Sequence, residues 1–362
     1  FPNDTYIMLS ENARHSIFSK LKEKYGSLRI AGNVLNISVR EFYSWNNGFE
    51  RKRHGVVNRF IPLPKLNKIC NVIGLPIDSM QSQVEKLKAN SRAGIINKPK
   101  LPLKIVPETF AVLGHFLSDG YGGELGNACY ISKSKEARDN FIFKLKVAFG
   151  EVDYSVLEQH YRVIVAKIIP KILKKYCQIQ DFRTGKVIFS ERIFHYPRPY
   201  LVELLKAMVI DEGGVDEQRI SVEYSHKSCL TEVTKRLCEI LGYKVQNYKQ
   251  ACIISPKSFS SVKDDFVDFV IPSKQAGFMK YFKNKKRGWY NRANGVTRAQ
   301  IVGLLSKRNY SIKELGEKLN LGPGAVRDQL VGYNSKGMRI KGLLECGSVE
   351  VKSIGWRTTR IF

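Results

Sequence analysis

The chain has 362 residues, of which 60 are Lys or Arg and 33 are Asp or Glu, so its formal net charge is +27. A chain of this length is expected to form two or three domains, each with its own hydrophobic core. Hydrophobic residues make up 43% and aromatic residues 11% of the chain, which excludes a disordered basic tail and favours a folded protein with a polyanionic partner. Nucleic acid is a better candidate for that partner than a membrane surface.

The sequence also predicts where the protein works. No run of apolar residues approaches the length that spans a bilayer, and no segment resembles a targeting signal. The seven cysteines are scattered and include no Cys-x-x-Cys pair, a pattern typical of unpaired thiols in a reducing compartment. We therefore expect a cytoplasmic, DNA-associated protein with no membrane partner.

The first predicted DNA-binding element is a pair of short helices within residues 28–48. The helices are joined by a tight turn at Asn36 and Ile37. Ser38 is placed to cap the second helix, and Glu41 three residues later completes a capping box. This pattern is typical of a helix-turn-helix, whose second helix enters the major groove.

The second helix of this pair carries the candidate DNA contacts Arg40 and Tyr43. A proline-initiated amphipathic helix follows, which favours a Cro/repressor-like domain over residues 1–95. A plain helical bundle is the alternative. The interval 89–102 is rich in Gly, Pro and basic residues and is predicted to be a linker.

The middle of the chain contains a diverged internal repeat. Each copy opens with an apolar helix that ends in an acidic residue followed by glycine, and the two acids are Asp119 and Glu212. The order β-β-α-β-β-α then follows in both copies, which occupy residues 96–180 and 181–275. A repeat of this kind sets the architecture of the chain.

The two opening helices match the nine-residue motif of the LAGLIDADG homing endonucleases, at residues 112–120 and 205–213. The chain resembles the single-chain, two-motif type of this family. The resemblance implies an α+β fold of two pseudo-symmetric αββαββα repeats, in which the motif helices pack along a pseudo-twofold axis. It also implies that Asp119 and Glu212 lie side by side as metal-binding and catalytic acids.

The physical chemistry of the motif helices agrees with that arrangement. Gly114 and Ala207 occupy the same motif position, and small residues allow two helices to approach closely. Both acids lie at helix C-terminal ends, where the helix dipole disfavours negative charge. A cation is therefore expected between them, and Mg²⁺ or Mn²⁺ suits carboxylate ligands, with Ca²⁺ expected to bind without supporting cleavage.

Further roles come from the resemblance alone. Lys167 resembles the family's peripheral active-site lysine, with a solvated surface lysine as the alternative. The sheets of the family lie in the major groove, and here the corresponding segments are residues 124–132, 154–165, 219–226 and 244–251. The candidate DNA contacts in these segments are Arg162, Arg219, Lys244 and Lys249.

The C-terminal region, residues 276–362, is predicted to contain a basic linker and a winged-helix domain. The linker mixes aromatic residues with Lys285 and Arg287, which suits phosphate contact and base stacking. Helices with a capping box at Ser311, followed by an alternating segment typical of a hairpin, favour the winged helix. Arg327 is its candidate DNA contact, although such domains bind protein as well as DNA.

These features together predict a site-specific, metal-dependent double-stranded DNA endonuclease that acts as a monomer with internal pseudo-twofold symmetry. The first alternative is a domesticated, non-cleaving transcriptional regulator, and the second is an RNA-splicing maturase. The motif's earlier Asp is replaced by Leu117 and Ile210, but both terminal acids are present. Their presence favours the endonuclease.

Overall fold

The computed structural model describes a mixed α/β chain. Its described residues are 1–47, 59–89, 94–122, 128–182, 187–216, 219–224, 229–248, 250–254, 258–266, 269–284, 298–305, 310–320, 326 and 360–361. Within these ranges no cysteine forms a disulfide. None of the helices in the same ranges combines the length and the apolarity that crossing a bilayer requires.

Thirteen α-helices lie in the described ranges. In chain order they are Glu11–Tyr25 (α1), Leu28–Leu35 (α2), Val39–Asn47 (α3), Leu63–Val72 (α4), Pro107–Leu117 (α5), Lys135–Phe149 (α6), Ile168–Cys177 (α7), Arg198–Glu212 (α8), Cys229–Ile240 (α9), Phe259–Asp265 (α10), Pro272–Asn284 (α11), Arg298–Leu305 (α12) and Ile312–Leu319 (α13).

The β-strands of the described ranges are short. In chain order they are Thr5–Leu9 (β1), Ile61–Pro62 (β2), Val84–Ala89 (β3), Ile96–Pro99 (β4), Gly120–Tyr121 (β5), Ala128–Ile131 (β6), Gly150–Val152 (β7), Tyr154–Leu157 (β8), Arg162–Val165 (β9), Gly213–Val215 (β10), Ile220–Glu223 (β11), Val245–Asn247 (β12), Ala251–Ile254 (β13), Tyr310–Ser311 (β14) and Arg360–Ile361 (β15).

The strands form antiparallel sheets. One five-stranded sheet has the order β2-β1-β3-β4-β7, and β14 pairs with β15 in a separate two-stranded sheet. Two four-stranded sheets have the orders β5-β6-β9-β8 and β10-β11-β13-β12. The same relative strand order therefore occurs once in each of the two repeats predicted from the sequence.

The chain divides into two compact units, residues 1–278 and residues 279–362. In the second unit, α12 and α13 lie where helices were predicted, and β14 pairs with β15. Most of the predicted third helix and hairpin of the winged-helix domain lies outside the described residues. The winged helix, and the whole set of predicted domain ranges, remain proposals.

The N-terminal helix pair has the predicted local structure. Asn36 adopts a left-handed conformation after α2, which ends that helix. The backbone N–H of Ser38 donates to the Glu41 carboxylate at 3.2 Å, and the Glu41 N–H donates to Ser38 Oγ at 3.2 Å. This is the predicted capping box, and it satisfies donors that the start of α3 would otherwise leave unpaired.

A buried arginine attaches α3 to the rest of the first unit. Arg14, on α1, is 2% exposed. Its Nη1 donates to the carbonyls of Trp45 and Asn46 at 3.1 and 3.0 Å, and its Nε donates to the carbonyl of Leu9 at 3.2 Å. The guanidinium therefore ties the C-terminal end of α3 to the end of β1, and its donors satisfy carbonyls that the helix leaves unpaired.

The segment predicted as a linker, residues 89–102, contains a strand. β4 pairs with β3 on one side and with β7 on the other. The linker prediction is wrong for this strand. Its Pro, Lys and Asn residues are typical of a linker, but β4 is a strand because it pairs with β3 and β7, which come from other parts of the chain. The five-stranded sheet thus joins strands from both sides of the predicted boundary at residue 95.

Both motif helices begin at proline-containing turns, as helix starts commonly do. Pro107 is the first residue of α5, and Pro199 is the second residue of α8, positions at which the missing N–H costs nothing. Nearly every residue of α5 from Thr109 to Leu117 is buried. A helix that is apolar on all sides belongs inside a core, and α5 lies there with α8 as its main neighbour.

Candidate active site at the ends of two paired helices

The two motif helices are in close contact. A Cβ atom built on Gly114 of α5 would lie 2.7 Å from Ala207 Cβ and 2.8 Å from the carbonyl oxygen of Leu204, both on α8. Glycine is therefore required at position 114 for this separation. The close approach predicted from the two small residues is present, and it brings the C-terminal ends of the helices together.

Asp119 and Glu212 lie at those ends and repel each other. Asp119 follows the C-cap residue of α5, and Glu212 is the last residue of α8. Burial raises the pKa of Asp119 to about 6, with a further increase from the negative charge of Asp211. Burial raises the pKa of Glu212 to about 7, and the charges of Asp119 and Asp211 add to the increase. The charge of Asp119 acts on Glu212, so the two acids lie within electrostatic range of each other.

A third carboxylate, Asp211, lies beside this pair and is completely buried. Tyr130 donates its hydroxyl hydrogen to Asp211 Oδ1 at 2.6 Å, and His115 Nδ1 lies 2.9 Å from Asp211 Oδ2. Burial, followed by the charge of Asp211, raises the pKa of Tyr130 well above its usual value. Asp211 belongs to the second repeat and both partners belong to the first, so this network connects the two repeats next to the acids.

The network lies among aromatic rings. The ring of Phe141 on α6 has its centroid 4.6 Å from that of Tyr130 and 5.7 Å from that of His115. Within the described residues, His115 Nε2 is buried and has no hydrogen-bond partner. The end of α8 therefore inserts a carboxylate into the aromatic core of the first repeat, where losing either partner would leave a polar group unpaired.

Lys274 on α11 adds positive charge to the cluster, beside the charge of His115 that acts on Asp119. Its Nζ donates to the carbonyl oxygens of Val209 and Ile210 at 2.7 and 2.5 Å. The Lys274 charge lowers the pKa values of both Asp119 and Glu212, although burial outweighs it. Burial lowers the pKa of Lys274 itself, and the three carboxylates oppose that shift.

The donor set fits a hard divalent cation that is completed by water and substrate. In the described part of the chain, no group of three or more His, Cys, Asp or Glu side chains is arranged to hold a metal ion. Mg²⁺ usually binds one or two protein carboxylates and keeps waters or phosphate oxygens as its other ligands. Asp119 and Glu212 supply two carboxylates, and a cation beside them would offset the burial and the repulsion by neighbouring carboxylates that raise their pKa values.

The remaining predicted site residues are Lys167 and the candidate DNA contacts. Lys167 is the N-cap residue of α7, and its role as the active-site lysine remains a prediction. The predicted DNA contacts that fall in the described ranges all have exposed side chains, with Arg219 also paired to Asp216 and Glu223. These exposed residues are Arg40, Tyr43, Arg162, Arg219 and Lys244. The predicted contacts outside the described residues are Lys249, Lys285, Arg287 and Arg327.

Sequence reasoning missed four participants in the cluster, which are Asp211, Tyr130, His115 and Lys274. Asp211 carried a visible signal, because it is a second acid beside Glu212 on an otherwise apolar helix. Tyr130 carried none, since it reads as an ordinary strand residue. Lys274 lay in a segment predicted to be a basic linker, and its position becomes evident only when α11 folds against the second repeat.

No family model matches this chain, and no curated protein matches it. Solved structures that align with part of the chain include mesophilic variants of the homing endonuclease I-DmoI, with 14% identity and a TM-score of 0.34, over 47% of this chain and 96% of that one. I-DmoI in complex with DNA and Ca gives the same values. Full-length DUF199/WhiA from Thermatoga maritima aligns with a TM-score of 0.26 and 13% identity, over 63% of this chain and 90% of that one.

Proposed function

We propose that this chain is a site-specific, divalent-metal-dependent endonuclease of double-stranded DNA, of the LAGLIDADG homing type. One observation carries the proposal. Two helices in backbone-close contact bring the carboxylates of Asp119 and Glu212 together at their ends, and the net charge of +27 suits a phosphate-rich substrate. The same strand order in the two four-stranded sheets supports a pseudo-twofold arrangement around this site.

Each residue of the cluster has a role in this proposal. Asp119 and Glu212 hold Mg²⁺ or Mn²⁺, while Ca²⁺ is expected to support DNA binding without cleavage. A metal held there would supply a water of lowered pKa and would stabilise the charge on the leaving oxygen of the phosphodiester. Asp211, through Tyr130 and His115, positions the end of α8 and hence Glu212.

The DNA contacts are assigned to exposed basic and aromatic side chains. Arg162, Arg219 and Lys244 belong to the strands and strand ends of the two sheets, and Arg40 and Tyr43 belong to α3. Binding by the N-terminal helix pair in addition to the repeats would give a long, asymmetric target. We propose that one chain suffices, since each half of the acid pair comes from a different repeat.

The decisive experiment separates binding from cleavage. Targets are first selected from a randomised duplex library in Ca²⁺, and the selected duplex is then incubated with Mg²⁺ or Mn²⁺. Wild-type protein is expected to cut both strands, whereas Asp119→Asn and Glu212→Gln are expected to lose cutting to the detection limit and to retain affinity within about threefold, because each removes a metal ligand and no DNA contact.

Matched controls are available on exposed helix surfaces. Asp139→Asn on α6 and Glu239→Gln on α9 make the same chemical changes at exposed positions and are expected to cut like the wild type. Tight, selective binding with no cut in any divalent metal would overturn the nuclease and support a non-cleaving regulator. Preferential binding of structured RNA, with no selected duplex, would support a maturase.

A further inference from the structure

α11, the helix at the end of the second predicted repeat, is packed against β10 of that repeat. A Cβ atom on Gly277 of α11 would lie 2.2 Å from the carbonyl oxygen of Val215, the last residue of β10. The backbone N–H of Phe269 donates to Gln275 Oε1 at 2.6 Å. The ring of Phe278, 2% exposed, has its centroid 5.2 Å from that of Phe269. The first two turns of α11 are therefore held against the strand that begins immediately after Glu212.

This docking delivers one ammonium group to the acid cluster. Lys274 is held by the carbonyls of Val209 and Ile210 in the last turn of α8, where the helix dipole is negative and a cation is favoured. From there its charge acts on Asp119, Asp211 and Glu212. Among the lysines and arginines that the structure describes, only Lys274 acts electrostatically on both Asp119 and Glu212.

We propose that Lys274 is the internal counter-cation of this cluster, which holds the end of α8 when no metal is bound and competes electrostatically with the divalent metal for the acids. It is a positioning residue. The inference deepens the proposed function, on which it rests, and assigns part of the active site to α11, which begins at the end of the second predicted repeat.

Two consequences follow from the charges. Without metal, removing Lys274 leaves buried carboxylates and two helix-end carbonyls less compensated, so the fold should lose stability. With metal, the divalent cation supplies the missing positive charge. Removing Lys274 should therefore also tighten metal binding, because the metal no longer meets a like charge beside its ligands.

The experiment uses the full chain without DNA, with Ca²⁺ as the probe. Three variants are compared with the wild type: Lys274→Met removes the charge, Lys274→Arg keeps it, and Lys280→Met removes an exposed charge from the same helix. Calorimetry gives the Ca²⁺ affinity, and thermal melts in chelator and in saturating Ca²⁺ give the stability.

We expect Lys274→Met to bind Ca²⁺ about tenfold more tightly than the wild type. We also expect it to melt several degrees lower in chelator, and that difference should shrink by at least half in Ca²⁺. Lys274→Arg and Lys280→Met should follow the wild type. If Lys274→Met does not fold in chelator, adding Ca²⁺ should restore its folded circular dichroism spectrum.

Several results would overturn the proposal. They are equal melting deficits of Lys274→Met in chelator and in Ca²⁺, a Ca²⁺ affinity within twofold of the wild type, no Ca²⁺ binding by any variant, or a Lys274→Met chain that stays unfolded in both conditions. These measurements require no cleavage. A protein that shows the Ca²⁺ linkage but cuts no DNA would therefore contradict the proposed nuclease and leave the role of Lys274 supported.

Discussion

The ends of the two motif helices differ, although the helices open repeats with the same element order. α5 is followed by its C-cap Ser118 and then Asp119, and Ser118 Oγ is buried with no hydrogen-bond partner among the described residues. α8 ends in Asp211 and Glu212, with Asp211 fully partnered. In the repeat alignment, the positions of His115 and Tyr130 are occupied in the second copy by Met208 and Val222. Among the described residues, the buried network around Asp211 therefore has no counterpart at the end of α5.

This difference separates two functions that a symmetric pair of helix ends would share. The end of α5 supplies an acid. The end of α8 supplies an acid and also anchors its repeat to the other one. A single chain permits this division, because each copy of the repeat can change independently of the other.

The largest expected effect tests the anchoring function. Asp211→Ala would leave the buried Tyr130 hydroxyl and His115 Nδ1 without their partner, and breaking a buried charged network of this kind costs about 3–5 kcal/mol. Ser118→Ala, the matched change at the end of α5, removes a buried hydroxyl with no described partner and should be nearly neutral. Urea denaturation followed by circular dichroism measures both. Destabilisation by similar amounts would contradict the asymmetry.

A smaller effect is expected where the two helices are alike, at their contact. Gly114→Ala places a methyl group against Ala207 Cβ and the Leu204 carbonyl, and such overpacking costs about 1–3 kcal/mol. Ala207→Gly in the same chain should recover part of that loss, because it removes one of the two clashing atoms. The same denaturation series gives the coupling energy of the pair. Strictly additive effects would show that the contact is looser than described.

The smallest effect is a pH dependence that tests whether both ends contribute acids. The folded-state pKa values of about 6 for Asp119 and about 7 for Glu212 exceed their usual values of 3.8 and 4.5. The folded protein therefore retains protons that the unfolded chain releases between about pH 4 and pH 7. The stability contribution of this pair is present at about pH 4 and is lost as pH rises to about 7.

Thermal melts in chelator should show this sign. Relative to an Asp119→Asn, Glu212→Gln double variant, the wild type should lose a few degrees of melting temperature between about pH 4.5 and pH 7.5. Saturating Ca²⁺ should reverse the difference at the higher pH, since only the wild type keeps both carboxylates. A difference between the two proteins that is independent of pH in chelator would refute the raised pKa values.

The features that could be predicted from the sequence are those that depend on local patterns. The apolar run of α5, its initiating Pro107 and the acid after its last turn are contiguous in the chain, as are the capping residues of α3. The contact at Gly114 was also predictable, because small residues at equivalent motif positions imply close packing. These features need only helical periodicity and one assumption about symmetry.

The remaining features depend on contacts between segments that are far apart in the chain. Asp211 lies 96 residues from His115 and 81 from Tyr130, so no local pattern relates them. Lys274 lies in a Lys-rich segment whose composition resembles a linker, and β4 is a strand only because β3 and β7 flank it. In each case tertiary packing outweighs the local composition.

The five-stranded sheet sets the geometry by which the N-terminal helices and the repeats could read one duplex. Through the pairing of β3 with β4, the region that carries α3 is hydrogen-bonded to the first repeat. A DNA duplex turns once in about 10 base pairs. A DNA-binding helix whose orientation relative to the repeats is fixed therefore contacts the same groove only at a fixed number of base pairs from the cleaved bond. On the proposed function, altered specificity at α3 would therefore arise by exchange of its exposed side chains, whereas inserting or deleting base pairs between the two contacted sites would abolish joint recognition.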